Sequence, residues 1–516
     1  MPAKNIPQTL KKAASRAVFG LLALLPFALG AAAAIGQFGS YGRYRTFSIA
    51  LYLAFFLFLI LISSKKDSGL SDRTAVVLLF VLTVLVRQFA IIFFNTLPVS
   101  DYGDAISSAA ELTQGPVKSL YSARFPYWGF YSITLSRLFR IFGASISTAK
   151  TINVIAAGLT AVGIYLAGKK LFRSGKYGLA AALIFAFSPA SILYANLPSG
   201  EHLFVMLMPV VLMLYLTVFE NTDQDAYKRG AFSLLAGILL GLMDMYKPVA
   251  VILLAGFALS LVISEGDAEN GVTSEDIRKK KVFFHALFTA ILVVGFISTK
   301  AACFSIVERQ FGHPPNRFGL GWTLRIGLDM EKGGRVNTPI QSYMNDLYRD
   351  YDEDYRYVNS LLAQEALDML AGRTAGELLT FFREKFVYMW GSSGGFYDWI
   401  AYNQMETGLM AYDAERLGLL VKPLADAFVI ISSILSALGA LYCTLRRRDK
   451  GALSIGLFIL GFTLMLFATE VQQRYRSVAA SALPFFTAFG LIAVVKSAEY
   501  IKTLIPEIQN PFKKKK

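Results

Sequence analysis

The feature that most constrains this chain is a series of apolar blocks, many of them long enough to approach the thickness of a bilayer. Residues 51–62, 76–86 and 282–296 lie in the clearest of these blocks. A helix of about 20 apolar residues spans the hydrocarbon core of a membrane and satisfies its backbone hydrogen bonds internally. The blocks therefore predict an all-α polytopic membrane protein.

Composition supports this class. Of the 516 residues, 55% are hydrophobic and only 17% are charged, a balance that a water-soluble chain of this length does not usually keep. The lengths of the apolar stretches and the charged residues between them predict about twelve transmembrane helices, the shorter of which could be tilted or re-entrant. They are residues 17–36, 47–62, 74–94, 148–168, 177–193, 201–219, 231–246, 249–263, 282–303, 421–444, 452–469 and 477–496.

Basic residues predict the orientation, because cationic loops resist translocation and stay cytoplasmic. They recur in alternate connections and near both ends of the chain, at Lys11, Lys12, Lys65, Lys66, Lys169, Lys170, Arg173, Lys228, Arg229, Arg278 to Lys281, Arg446 to Arg448 and Lys513 to Lys516. Both termini are therefore predicted to be cytoplasmic. The net charge of +15 indicates topology and some attraction to anionic membrane lipids, and we expect no nucleic acid partner.

Two segments on the predicted outer face, residues 95–147 and 304–420, are much longer than a connection requires. Long loops usually carry function. We expect amphipathic juxtamembrane helices in the first and a mainly helical second loop. The predicted regions are two N-terminal spans in 1–73, a catalytic transmembrane core in 74–303 that includes the first loop, an extracytoplasmic loop domain in 304–420, and C-terminal helices with a basic cytoplasmic tail in 421–516.

The first outer loop brings carboxylates close to the membrane surface. Asp101 and Asp104 follow a predicted span and precede a helix of small residues. Residues 130–142 then alternate apolar and polar side chains at helical spacing, which predicts an amphipathic helix at the interface. Either aspartate could instead cap the helix that follows it, because aspartate is common at that position.

Arg87 is a charge inside a predicted span, roughly 12 Å below its outer end at 1.5 Å per residue. An unpaired charge at that depth is costly, so the side chain needs a partner or a polar cavity. A structural ion pair and a position in the active site are equally good explanations from the sequence.

An ordered series of motifs runs through this region: Arg87, Pro98, Ser100-Asp101, Ala109 to Leu112, Gly115, Tyr121, Phe125-Pro126, Gly129 to Tyr131 and Ile141 to Gly143. Their order and spacing resemble the GT-C glycosyltransferases, in the branch of lipid-phosphosugar-dependent enzymes that includes protein mannosyltransferases and the aminoarabinose transferase. Many relatives have Asp-Glu where this chain has Asp101-Tyr102. Either Asp101 or Asp104 could therefore hold the central position, and Asp101 is preferred.

Weaker similarity continues at Ser199 to His202, at Lys247-Pro248, and at Glu470 with Arg474 to Arg476. The resemblance implies a GT-C-like fold and a hexosyl or pentosyl glycosyltransferase of the cell membrane. Such an enzyme would move one sugar from a polyprenyl-phosphate-linked donor to a surface glycan, lipid or protein on the extracytoplasmic face.

A phosphate leaving group needs cations and one carboxylate base more than it needs a general acid. The predicted catalytic residues are Asp101 and Asp104, and direct displacement predicts inversion at the anomeric carbon. The predicted substrate-binding residues are Arg87, Glu201, His202, Lys247, Arg325, Arg474 and Tyr475. No cofactor is assigned, and a divalent metal ion is left open.

Structural explanations exist for several of these residues. Glu201 could cap the helix that begins there, His202 could be an interface residue, and Lys247 could pair with Asp244 three residues earlier. Two other functions also fit about twelve spans: a transporter or flippase, and a polymerase or ligase of surface polysaccharides. The first usually carries ionisable residues at the midplane of several helices and two similar halves, neither of which is evident here.

Overall fold

The structure is a computed structural model that describes residues 10–25 except 11 and 24, 42–65, 70–220, 225–263, 275–391, 395–403, 414–446, 450–480 and 482–509. All regular secondary structure in these ranges is helical. The predicted all-α class is therefore confirmed.

Helical residues within 10–25 precede a long series of helices. The first half contains α1 (Arg43–Ser64), α2 (Asp72–Phe94), α3 (Asp101–Glu111), α4 (Leu120–Arg124), α5 (Pro126–Phe142), α6 (Ile146–Phe172), α7 (Gly175–Ala186), α8 (Pro189–Tyr194), α9 (Glu201–Glu220), α10 (Ala226–Tyr246) and α11 (Ala250–Ile263). The second half contains α12 (Glu275–Phe311), α13 (Leu320–Gly327), α14 (Thr338–Asp350), α15 (Tyr355–Asp368), α16 (Ala375–Trp390), α17 (Gly395–Asn403), α18 (Ala414–Arg446), α19 (Lys450–Ala468), α20 (Ser477–Ala480) and α21 (Leu483–Gln509). A 3-10 turn, Gln473–Arg476, connects α19 to α20.

Among the described residues, nine helices are long and apolar enough to cross a membrane. The predicted spans 177–193 and 249–263 correspond to the shorter helices α7 and α11, and much of the predicted span 17–36 falls outside the described ranges. A count of twelve spans therefore stays a prediction. The predicted span 177–193 is interrupted because α7 ends at Ala186 and the chain turns before Pro189, a residue that disfavours helix immediately before it.

Arg87 stabilises this interruption. Its guanidinium donates to the carbonyl oxygens of Phe185 and Ala186, at 3.3 and 3.1 Å, and to Ser191 Oγ at 2.8 Å. The last carbonyls of a helix have no partner within it, and a cation at that end also complements the helix dipole. The buried charge of Arg87 is therefore stabilised by the end of α7 and not by a carboxylate.

Close helix crossings depend on small residues, as is common in membrane proteins. A Cβ atom on Gly237 of α10 would lie 2.2 Å from the carbonyl oxygen of Leu292 in α12, and one on Gly490 of α21 would lie 2.0 Å from that of Leu435 in α18. Near the candidate site, a Cβ on Gly200 would lie 3.0 Å from the carbonyl oxygen of Tyr246. The start of α9 therefore abuts the end of α10.

The described residues of the second long loop are mainly helical, as predicted, and the first loop contains the helices α3, α4 and α5. α12 extends beyond the predicted end of its span at residue 303 to Phe311, and its last residues accept backbone hydrogen bonds from Val117 and Ser119 of the first loop. The two loops also meet through Arg124, which forms a two-point ion pair with Glu353. The amphipathic helix predicted over 130–142 begins earlier, at Pro126, and residues on more than one of its faces are buried.

Candidate active site

Asp101 is the carboxylate around which the candidate site is organised. It is the first residue of α3, where Ser100 is the N-cap and no side chain caps the helix. Its Oδ1 accepts a hydrogen bond from the Tyr121 hydroxyl at 2.8 Å, and its Oδ2 accepts one from Arg474 at 3.2 Å. The carboxylate is therefore oriented by side chains from distant parts of the chain and is not occupied by its own helix end.

Arg474 holds several groups of this cluster together. Its guanidinium donates to the Tyr102 hydroxyl and to Gln472 Oε1, both at 2.6 Å, and lies 4.5 Å from the ring centre of Trp399. Burial opposes the charge of Arg474, but the surrounding tyrosines and Asp101 hold its pKa above the ordinary value. Arg474 thus supplies a fixed positive charge beside Asp101.

Tyr102 stands where the family resemblance of the sequence leads us to expect a second acidic residue. Its side chain is fully buried, and burial raises its pKa to about 12. The hydroxyl accepts from Arg474, so tyrosine provides a neutral partner to the guanidinium.

Asp104 is placed differently from Asp101. It is exposed, and its carboxylate forms no hydrogen bond or ion pair within the described ranges, although its backbone N–H donates to the carbonyl oxygen of Ser100 at 3.0 Å. Partial burial and the nearby charge of Asp101 raise its pKa. These contacts favour Asp101 over Asp104 as the organised carboxylate of the first loop.

Glu201 and Lys247 form the second ion pair of the cluster. Lys247 Nζ lies 2.9 Å from Glu201 Oε1, and both side chains are largely buried. Lys247 also lies 4.2 Å from the ring centre of Tyr475. The predicted alternative partner of Lys247, Asp244, instead pairs with Lys300 at 2.6 Å.

Tyr475 connects this pair to Glu470. Its hydroxyl donates to Glu470 Oε1 at 3.2 Å. Glu470 lies two residues beyond the end of α19 and is largely buried, and that burial raises its pKa. The turn between α19 and α20 therefore brings a carboxylate, an arginine and a tyrosine to one place.

A cavity of about 330 Å³ lies against this cluster. Its polar wall includes Asp244, Lys247, Lys300, Arg317, Tyr127, Glu470 and Tyr475, and its apolar wall includes Phe304, Trp322, Phe462 and Leu466. A site with mostly apolar walls and a few converging polar groups is typical of small-molecule binding. The cationic part of the wall could hold a phosphate.

Two of the predicted substrate-binding residues lie elsewhere. Arg87 caps α7, as described above. Arg325 pairs with Glu365 at 3.0 Å and with Asp329 at 3.7 Å, within the second outer loop. Both guanidiniums thus bond to protein groups away from Asp101, and the predicted substrate contacts of these two arginines stay predictions.

His202 belongs to the packed interior beside the cluster. Its ring stacks against Tyr194 with 4.8 Å between centres, and its Nε2 is 3.1 Å from the carbonyl oxygen of Leu197. It borders a second, smaller cavity of about 100 Å³, which Glu201 also borders. Its contacts within the described chain support a role in packing.

Sequence reasoning missed four residues that the fold adds: Tyr121, Tyr127, Lys300 and Arg317. A signal existed for Lys300, which is a lone charge near the outer end of a predicted apolar span. Tyr121 belonged to the family-like series of motifs but was given no role in the site. No pattern singled out Tyr127, because tyrosine is common at membrane interfaces. Among the described residues, no group of three or more His, Cys, Asp or Glu side chains could hold a metal ion.

About a third of the sequence matches a known protein family. Residues 126–298 match the family model of the dolichyl-phosphate-mannose-protein mannosyltransferases. The predicted resemblance is thereby confirmed. The matched segment of this chain contains Glu201, His202 and Lys247, whereas Asp101 and Arg474 lie outside it.

Solved structures of membrane glycosyltransferases are also similar. The archaeal oligosaccharyltransferase AglB from Archaeoglobus fulgidus, in complex with an inhibitory peptide and a dolichol-phosphate, is 12% identical with a TM-score of 0.45, over 83% of this chain and 51% of that one. ArnT from Cupriavidus metallidurans, bound to undecaprenyl phosphate, is 14% identical with a TM-score of 0.36, over 84% and 80%. This chain spans about half the length of the archaeal enzyme. No curated protein matches the sequence.

Proposed function

We propose that this protein is a membrane glycosyltransferase that moves one monosaccharide from a polyprenyl-phosphate-linked donor to a cell-surface glycan, lipid or protein. The observation that carries the proposal is the position of Asp101, held by Arg474 and Tyr121 in a cluster whose Lys247, Glu470 and Tyr475 border a cavity with both cationic and apolar walls. The match to the mannosyltransferase family supports the same class of reaction.

The roles of the residues follow from the chemistry of the donor. A polyprenyl phosphate sugar has an anion between a sugar and a long apolar chain, so its site needs cations next to apolar surface. Lys247, Lys300 and Arg317 border the cavity and supply positive charge. Lys247 lies nearest the cluster of Asp101, because it shares Tyr475 with Glu470 and Arg474. These cations would stabilise the negative charge that develops on the leaving phosphate.

Asp101 would act as the general base. It would accept the proton of the acceptor hydroxyl as that oxygen bonds to the anomeric carbon, while the bond from that carbon to the phosphate oxygen breaks and polyprenyl phosphate leaves. One displacement inverts the anomeric centre, as in inverting glycosidases whose carboxylate activates the incoming nucleophile. Arg474 and Tyr121 would keep the carboxylate oriented for this transfer.

The proposal places the reaction on the extracytoplasmic face of the cell membrane, with both chain termini in the cytoplasm. The basis is the distribution of lysine and arginine along the sequence. The outer segment 304–420 would then be a domain that borders the cavity through residues such as Arg317 and Trp322.

The test is sugar transfer by purified protein in lipid nanodiscs. Radiolabelled polyprenyl phosphate sugars are offered with a membrane extract as acceptor source, and product is measured for the wild type, Asp101→Asn and Asp104→Asn. We expect transfer to fall by about 10²–10⁴-fold in Asp101→Asn, the usual contribution of a general base, and little in Asp104→Asn. Undiminished transfer in Asp101→Asn would contradict the assignment, and substrate flux without any transfer would favour a transporter.

A further inference from the structure

Glu470 is a buried carboxylate, and backbone hydrogen bonds of Glu470 and its neighbour fix its position in the chain. Its backbone N–H donates to the carbonyl oxygen of Thr323 in α13, and the N–H of Val471 donates to that of Gly334, both at 2.9 Å. Glu470 is 8% exposed and borders the large cavity. The carboxylate is therefore held at the cavity by main-chain contacts that do not depend on its charge.

Within the described part of the chain, side chains donate hydrogen bonds to one oxygen of this carboxylate. Oε1 accepts from Gln472 Nε2 at 2.5 Å and from the Tyr475 hydroxyl at 3.2 Å. Oε2 accepts no hydrogen bond, and Glu470 forms no ion pair, within the described part of the chain. An acceptor without a donor is thus present at a buried, polar place in the wall.

The charges around the cavity are arranged unevenly. Lys300 and Arg317 both lie within 6 Å of the Phe304 ring centre, at 5.7 and 5.4 Å. Glu470 lies with Tyr475 and Lys247 at the side nearer Asp101. If Lys300 and Arg317 bind the phosphate of the donor, its sugar faces the remaining polar wall of the cavity, which includes Glu470.

We propose that Glu470 selects the sugar of the donor: it accepts hydrogen bonds from hydroxyl or ammonium groups and excludes sugars that carry a carboxylate. This inference rests on the proposed function, because it assumes a polyprenyl phosphate donor in the cavity. An ionised carboxylate is acceptor-only, so a neutral or amino sugar satisfies Oε2. A uronic acid would bring a second negative charge against it in a partly desolvated site.

Direct binding tests this selection without requiring transfer. The probes are polyprenyl phosphate glucose and polyprenyl phosphate glucuronate, which differ only in the oxidation of the terminal carbon. Their affinities for the full-length protein in nanodiscs are measured at about pH 8, well above the ordinary pKa of a glutamic acid. We expect the glucosyl donor to bind at least about tenfold more tightly, a modest fraction of the repulsion between two close charges.

Glu470→Gln keeps an oxygen that can accept from Gln472 and Tyr475, so it retains the turn while removing the charge. We expect it to reduce the preference for the glucosyl donor at least about tenfold, mainly by improving binding of the glucuronosyl donor. Glu470→Asp, which keeps the charge, should retain the preference. Glu384→Gln, at an exposed position of α16, is the control and should behave as the wild type.

The outcomes separate the two proposals. Equal affinity of the wild type for both donors, or an unchanged preference in Glu470→Gln, would overturn the role of Glu470 while leaving the glycosyltransferase assignment intact. Binding of neither donor would overturn the proposed function and the selection with it. If Glu470→Gln does not purify as a folded protein, the affinities of the wild type for both donors are measured as pH falls: the preference should weaken as Glu470 loses its charge, and a preference that stays constant would overturn the selection.

Discussion

Replacing Lys385 with methionine should loosen the contact between the second outer loop and the end of α19. Lys385 is 1% exposed, and its Nζ donates to the carbonyl oxygens of Gly327, Phe467 and Thr469 at 2.6, 2.7 and 2.9 Å. An ammonium has three hydrogens, and these three carbonyls account for all of them. Gly327 is the last residue of α13. Phe467 and Thr469 lie at the end of α19, shortly before Glu470.

The magnitude follows from these three hydrogen bonds. A hydrogen bond to a charged group contributes about 1.5–3 kcal/mol, so three give roughly 5–9 kcal/mol. Desolvation of the buried ammonium offsets several kcal/mol of this. Methionine is of similar length and leaves three carbonyls without their donor, so we expect a net loss of about 2–4 kcal/mol of stability.

The assay is thermal unfolding of the purified protein in nanodiscs, followed by donor binding below the transition. We expect Lys385→Met to unfold several degrees lower and to bind the donor more weakly, because the turn that carries Glu470 and Arg474 is no longer fixed. Arg383→Met, at an exposed position two residues away, is the matched control. A Lys385→Met protein with unchanged unfolding and unchanged donor affinity would refute this reasoning.

Four further predictions follow from other contacts. Arg474→Lys should lower kcat at least about tenfold, because lysine cannot bond to Asp101 and Tyr102 from one planar group; separate kcat and KM values for the donor would check this. Arg87→Met should lower the unfolding temperature, by the loss of about 1–3 kcal/mol, and leave donor KM unchanged, as a helix cap would. Both native cysteines are buried, so in intact cells an impermeant maleimide should label Ala371→Cys and not Ser64→Cys, and the reverse pattern would invert the topology. Because burial raises the pKa of Glu470, its negative charge is lost as pH falls through that raised value, so donor-binding titrations should show the preference for neutral donors weaken at acidic pH in the wild type and stay flat in Glu470→Gln.

The fold class was predictable because membrane spans are encoded locally, by apolar length in a continuous stretch. Pro189 was a signal for the interruption of the predicted span 177–193, but the prediction ran the span through it. The partner of each buried cation could not be predicted. Arg87 and Arg325 were as plausible as Arg474 from the sequence, because the sequence does not show whether a guanidinium meets a helix end, a carboxylate of its own loop or the candidate base.

The same limit explains the tyrosines. Tyr121 was part of the family-like pattern, but its hydrogen bond to Asp101 depends on how α4 returns toward the start of α3. Tyr102 replaces an expected acidic residue, and only its contact with Arg474 shows that the hydroxyl is a partner of the cluster. Side chains of this kind gain a role from tertiary placement and not from spacing along the chain.

Two kinds of buried or half-buried cation, with different consequences, are present in the described part of the chain. Arg87, Lys150 and Lys385 donate to main-chain carbonyls near places where helices end, so their charge serves the fold. Lys247 and Lys300 instead pair with carboxylates at the cavity wall, where an anionic ligand can share or displace those pairs. A cation of the second kind is the better candidate for binding a phosphate, because its partner is a side-chain carboxylate and not a helix end.

Asp101 and Arg474 are 373 residues apart in the chain, and this separation has a consequence for assembly. During synthesis, α3 and the first outer loop are made long before the turn that follows α19. The candidate base therefore has no arginine partner until the last spans have entered the membrane. Since Glu470 lies on the same turn, the oriented carboxylate and the proposed sugar contact would be completed together, and a partly inserted chain would have neither.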